Sequence, residues 1–368
     1  MVSPLSANRD ELAATLALAQ VPGIGAARLR TLLAAFGSGS AALAAPARAL
    51  AALQGIGPAA AAAIRATSPA VGEAILATLD RLGARVLLSG DPGFPPLLRE
   101  IHEPPAALFV WGDTSLSRPA VAIVGSRHHT LYGAAATRLL ATGVARQTVV
   151  VSGMARGLDA IAHTAALDAG GGSVGVLGNG FGVVYPAANQ ALYDRMVLQG
   201  CLVTEHAPGE RPRVSTFPRR NRIIAGLCGA TVVVEAAAGS GALITADFAL
   251  DQGRAVLAVP GPITSPTSVG CNKLIQQGAK PALSVADVLE ELGLSVTAVS
   301  PATDVRKLPE DLSPVQRTLC DALVGDTKHV DALVAAARRE TGEVLTALTE
   351  LELRGVVVQR AGMMFALA

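Results

Sequence analysis

The chain has 368 residues, half of them apolar but only 3% aromatic, and carries a formal net charge of +1. That length supports two or three domains with ample cores. The balance of 30 lysines and arginines against 29 acids excludes a uniformly basic protein, so a nucleic-acid ligand would need its cations focused in one place. The alanine-rich stretch Ala41–Ile64 is broken by Pro46, Arg48, Gly55 and Pro58, so no membrane span is expected. The opening MVSPLSANRDELAATL has neither a basic nor an apolar leader region, which makes the cytoplasm the expected compartment. Cys201, Cys228, Cys271 and Cys320 are scattered without ligand spacing, and neither a disulfide framework nor a metal site is expected.

In chain order, residues 1–80 read as a domain of short helices. Its loops VPGIGAAR (21–28) and LQGIGPAA (53–60) have the helix-hairpin-helix look, in which a glycine turn exposes backbone N–H groups at a helix start. The pattern serves phosphate binding or plain helix packing. Residues 81–118 form a proline-rich connector in which Pro92, Pro95, Pro96, Pro104 and Pro105 argue against regular elements. From 119 to 295 short β-branched runs alternate with helical patterns: VAIVG (121–125), VVVSG (149–153), SVGVL (173–177), CLVTE (201–205), TVVVE (231–235) and AVLAV (255–259). Strands buried on both faces and spaced by helices make an α/β fold, with a mostly parallel, doubly wound, Rossmann-like sheet. A linker is expected at 296–311. Residues 312–368 read as three amphipathic helices and a hairpin turning near Ala361 and Gly362, the order of a winged helix. Its third helix, 343–354, carries Glu343, Glu350 and Glu352 against Arg354 alone, which favours packing or a protein partner over DNA.

A doubly wound sheet binds its ligand at the carboxyl ends of its strands. Those ends read Gly125-Ser126-Arg127, Ser152-Gly153-Met154-Ala155-Arg156-Gly157, and Glu235 followed by Gly239-Ser240-Gly241. Gly157 with Arg156, and the 239–241 turn, would each cradle an anion or simply start a helix. No Walker lysine and no G-x-G-x-x-G follow the first strand, so a classical nucleotide cofactor is not expected. His163 lies among alanines and leucines as a core residue would. The densest charge is RPRVSTFPRRNRIIAG (211–226), with five arginines, one phenylalanine and no acid. Arginine forks pair with phosphate and an aromatic ring can stack a base.

Taken together, VAIVGSR, VVSGMARGLDAIAH, GFGVVYPAANQALYDRM, FPRRNRIIAGL, VVVEAAAGSGALITADFAL and AVPGPITSPTSVGCNKLIQQGA resemble the DNA-processing protein A family, also called Smf. The likeness covers about 119–292. It implies a non-catalytic, homodimeric protein that binds single-stranded DNA and hands it to the RecA recombinase during uptake of external DNA. By position, Ser126 and Arg127 would hold a phosphate and Phe217 would sit against a base. Arg220 and Asn221 would line the same pocket, with Gly153–Gly157 and Gly239–Gly241 as its floor. Members can carry a lysine three residues before the phenylalanine; here that position is Val214, and Arg213 or Arg211 is the expected substitute. With Arg222, the segment's arginines would wall a single-strand groove. The rival is a nucleoside monophosphate hydrolase on a related sheet, using Glu235 with the 239–241 loop, although that family's PGGxGT loop is replaced by AAAGSGA.

Overall fold

Nine strands make one sheet: β1 (Arg85–Leu88), β2 (Ala107–Gly112), β3 (Ala120–Val124), β4 (Val149–Ser152), β5 (Gly172–Val176), β6 (Cys201–Thr204), β7 (Ala230–Val233), β8 (Ala255–Ala258) and β9 (Lys280–Pro281). A computed structural model of the chain describes residues 4–295, 309, 311–323, 327–360 and 362–367. The expected 296–311 linker lies mostly outside the described residues, as does Ala361 of the expected hairpin turn. The chain forms two units, Met1–Val296 and Thr297–Ala368.

The sheet order is β1-β2-β6-β5-β4-β3-β7-β8-β9. Strands β3 to β9 run parallel to one another, while β2 is antiparallel to both β1 and β6. Alternate side chains of each strand enter cores on opposite faces, as the β-branched runs require. Val121 and Ile123 of β3 point to one face, where helices Leu131–Ala145, Leu158–Asp168 and Val285–Glu291 pack; Ala122 and Val124 point to the other, under Thr216–Gly226, Gly241–Asp251 and Val269–Gln276. Register across β3 and β7 sets Ile123 opposite Val232.

The proline-rich connector differs from expectation, since it carries β1, β2 and the helical turn Pro96–Arg99. Pro95 caps that turn and Pro96 begins it, while Pro104 and Pro105 precede β2. The prolines stand at element boundaries, where a missing N–H costs nothing, and the apolar runs between them pair normally. The N-terminal helices belong to the same unit. Ala13 and Leu16 of Pro4–Ala19, with Ile75, Leu76 and Leu79 of Pro69–Leu82, share an apolar cluster with Phe109, Met196 and Leu202. The two glycine turns have matching conformations, Gly23 and Gly55 both at φ 83°, and bury Ile24 and Ile56 in one helical core. Arg28 folds back onto the Gly23 carbonyl at 2.6 Å.

The second unit packs helices Pro314–Ala322, Val330–Ala337 and Thr341–Leu353 around Leu319, Leu333, Leu348 and Phe365. Its sheet holds β10 (Lys328–His329), β11 (Val357–Arg360) and β12 (Met364–Leu367) in the order β10-β12-β11, so a short third strand joins the expected hairpin. Glu350 of the third helix accepts from Gln316 at 2.7 Å, and Arg354 is paired with Asp311 at 2.5 Å.

Candidate functional site

The chain reverses its direction across the sheet at β3. After β3 it proceeds through β4, β5 and β6 on one side; it then returns to place β7 on the other side. The loop after β3 leads to a helix on one face and the loop after β7 to a helix on the opposite face. The two loops therefore part, and a crevice opens between them. This crevice is a cleft of 560 Å³ lined by Gly125, Ser126 and Arg127 from the first loop, Ala237–Ala242 from the second, and Val214, Phe217, Arg220 and Asn221 from the start of helix Thr216–Gly226. Its volume lies in the range of roughly 300–1,000 Å³ common for ligand sites.

Local chemistry shapes the walls. Ser126 accepts from the His128 N–H at 3.1 Å and donates to the His128 carbonyl at 2.8 Å, which folds the β3 loop back on itself. Ser240 caps helix Gly241–Asp251 by accepting from the Ala242 N–H, and Asn221 donates to the Gly241 carbonyl at 3.2 Å. Thr216 donates to the Gly178 carbonyl at 2.6 Å, tying the start of its helix to the end of β5. A Cβ on Gly157, at φ 81°, would come within 2.4 Å of the Ser126 carbonyl oxygen. Gly157 thus allows the β3 loop to lie against the next helix start; it supports the cleft and does not line it.

A second cleft of 440 Å³ adjoins the first and is walled by Arg156, Met154, Val184, Pro186 and Ala187, with Gly153 behind. Arg127, Ala155, Tyr185, Phe217 and Arg220 line both clefts. The Tyr185 and Phe217 rings lie 5.1 Å apart between centroids with planes tilted by 32°.

The arginines divide sharply. Arg127 is exposed, and among the described residues no hydrogen bond or ion pair holds its guanidinium. Arg156, Arg211, Arg213 and Arg219 are also exposed. Arg220 is 4% exposed and donates to the carbonyls of Gly153, at 2.6 Å, and Val176. Burial pulls its pKa down to about 10, with Asp159 opposing and the like charge of Arg127 adding to the drop. Arg222 departs from expectation: it is 5% exposed, lines neither cleft and is paired with Glu205 at 2.5 Å. On a helix packed against the sheet, successive side chains fan around the axis by the helical period, so Arg219, Arg220 and Arg222 cannot share one wall, and Arg211 and Arg213 precede the helix. Arg213 also stands outside the linings of both clefts, one residue before Val214, which lines the first.

Glu235 is 2% exposed, and its carboxylate accepts from the Thr130 N–H at 3.0 Å and the Thr130 hydroxyl at 2.5 Å. It holds the cap of helix Leu131–Ala145 and lines neither cleft, so the hydrolase alternative loses its carboxylate. Glu205 is engaged with Arg222. His163 is fully buried, with Nδ1 2.8 Å from the Ser173 hydroxyl, and burial pushes its pKa down to about 3. Two site residues escaped the sequence reading. Asp159 accepts from the Gly153 and Ala155 N–H groups at 3.1 and 3.4 Å and so holds the loop after β4; burial raises its pKa despite the adjacent Arg220. Tyr185 is 47% exposed, and its exposure beside Phe217 exists only in the fold. The expected residues Ser126, Arg127, Phe217, Arg220, Asn221, Gly239, Ser240 and Gly241 converge on the first cleft; Gly153 and Arg156 converge on the second.

No described helix is long and apolar enough to cross a membrane. The sequence profile of DNA recombination-mediator protein A matches residues 85–293, and that of the DprA winged helix domain matches 305–363. DNA processing protein DprA of Streptococcus pneumoniae is 45% identical over 202 residues, which cover 55% of this chain and 72% of the relative. Protein Smf of Escherichia coli is 40% identical over 275 residues, covering 73% and 74%. The crystal structure of the S. pneumoniae protein superposes with a TM-score of 0.62 at 33% identity, covering 77% of this chain and 97% of that one. A structure of DNA processing protein A from Helicobacter pylori, described for its single-stranded DNA binding mode, superposes with a TM-score of 0.52 at 26% identity, covering 57% and 95%. The chain belongs to the DNA recombination-mediator protein A family, the DprA and Smf proteins.

Proposed function

We propose that this protein binds single-stranded DNA in the crevice between the β3 and β7 loops. The observation that carries the reading is an exposed, unpaired Arg127 beside the Tyr185–Phe217 ring pair, at the carboxyl edge where the sheet reverses. A guanidinium fork recognises phosphate, and the rings offer a stacking face that paired, stacked bases cannot reach. The single-stranded DNA binding described for the H. pylori relative supports the same reading. Gly239–Gly241 and Ser126 bring backbone close to the strand, with Arg156 and Arg213 adding charge from the rim. The protein acts in the cytoplasm as a homodimer that delivers the strand to the RecA recombinase during DNA uptake and recombination, without itself cutting or joining it.

Titration with one oligonucleotide, free and annealed to its complement, at the same salt tests the binding. The single strand is expected to bind more tightly; equal affinity would remove the stacking site from the account. Delivery is tested by recombinase filament growth on a strand coated with single-strand binding protein, which should accelerate on adding this protein.

A further inference from the structure

The two clefts are not independent cavities. They share five lining residues, among them Arg127 and the Tyr185 and Phe217 rings, and we take the ring pair as the partition between them. We infer that the site takes a dinucleotide step opened about this partition: consecutive bases enter different clefts, unstacked from each other, and Arg127 holds the phosphate between them. The inference rests on the single-strand reading above and adds to it the unit that is recognised.

The argument is one of connectivity. Neighbouring nucleotides are joined through one phosphate, so a strand with one base in each cleft must pass that phosphate over the junction. Of the two arginines at the junction, Arg220 is buried and donates to the Gly153 and Val176 carbonyls, whereas Arg127 is exposed and uncommitted. The rings prevent bases in separate clefts from stacking on one another, and each base gains a face of the partition in exchange. Base–aromatic stacking is tolerant of base identity, since every base has a π-face. The clefts also differ in chemistry. The first presents Ser126, Asn221 and Ser240, while the second sets Arg156 and His128 beside Met154, Val184 and Pro186.

The test uses the full-length protein and a tetranucleotide with two adjacent 2-aminopurines at its centre, flanked by thymidines. Stacked 2-aminopurines give an exciton-coupled circular dichroism couplet at wavelengths where protein does not absorb. Bound to the wild type at saturation, the probe is expected to lose this couplet. Tyr185→Ala should bind at least about fivefold more weakly and leave the couplet partly intact, and Tyr185→Phe should restore both wild-type properties. Tyr185→Leu, which keeps bulk without a ring, serves if the alanine variant fails to fold. Tight wild-type binding with the couplet unchanged overturns the opened step and leaves single-strand binding standing. Failure of the tetranucleotide to saturate while a longer thymidine strand binds also overturns it. If neither binds, the single-strand reading itself falls.

Discussion

Two neighbouring regions use arginine in opposite ways. In the loop after β3, Arg127 is exposed with no partner among the described residues, although Asp159 and Glu235 lie on adjoining elements. In helix Thr216–Gly226, the more basic stretch by sequence, Arg220 and Arg222 are buried and committed, one to strand-end carbonyls beside Asp159 and the other to Glu205. The first arrangement leaves a cation whose best partner must come from outside; the second makes cations part of the scaffold. Charge density along a sequence therefore says little about which cations meet a ligand. Burial and the available acceptors decide it.

The comparison breaks most readily at Arg220. Arg220→Ala leaves Asp159 buried without its cation and two carbonyls without a donor. Each buried acceptor left without a donor costs about 1–3 kcal/mol, so a denaturant melt should shift strongly; an unchanged melt would mean that the helix cations are not structural. His163 gives the pH counterpart. Burial holds its folded pKa at about 3, below the ordinary 6.5, so the folded state stays neutral while the unfolded chain takes a proton. The stability from the neutral ring is present above 6.5 and is lost as pH falls toward 3. The slope is about 1.4 kcal/mol per pH unit, or about 3 kcal/mol by pH 4. His163→Gln should lack this component when melts of both proteins are compared across that range.

On the exposed side, Arg127→Ala should weaken single-strand binding about ten- to a hundredfold, the loss of one charge-assisted contact of roughly 1.5–3 kcal/mol. Its melt should match the wild type; a lowered melt with affinity lost only in proportion would move Arg127 into the scaffold class. Salt dependence sharpens the count. With Arg127, Arg156 and Arg213 as phosphate contacts, log affinity should fall against log salt with a slope of about −2, and each alanine substitution should flatten it by about 0.7. The smallest effect belongs to the winged-helix unit. Because its third helix presents glutamates and its Arg354 is paired, a chain ending after Val296 should keep single-strand affinity within about tenfold.

Parallel strands β3 to β8 were legible because a strand covered on both faces must be a short unbroken apolar run, and each of the six falls within a residue or two of its run; β9, the two-residue Lys280–Pro281, has no such run. The carboxyl-end loops followed from that topology. Strands β1 and β2 were not legible, since prolines between them dominated the local signal. Nor was the split among the arginines. Arg220 meets Gly153 and Val176, 67 and 44 residues away, and these acceptors come together only when the sheet forms. Tyr185 was hidden for a similar reason. It reaches Phe217 only because the β5 loop and the helix start share the carboxyl edge.

The most direct test of where the strand lies is photo-crosslinking of the wild type to a thymidine strand carrying 4-thiothymidine, followed by mapping of the modified peptides. Crosslinks are expected in the segments around Arg127, Tyr185 and Phe217, and should be lost on competition with unlabelled single strand but not with duplex. Crosslinks confined to the glycine turns near Gly23 and Gly55, or to residues 312–368, would place the strand elsewhere and contradict the account.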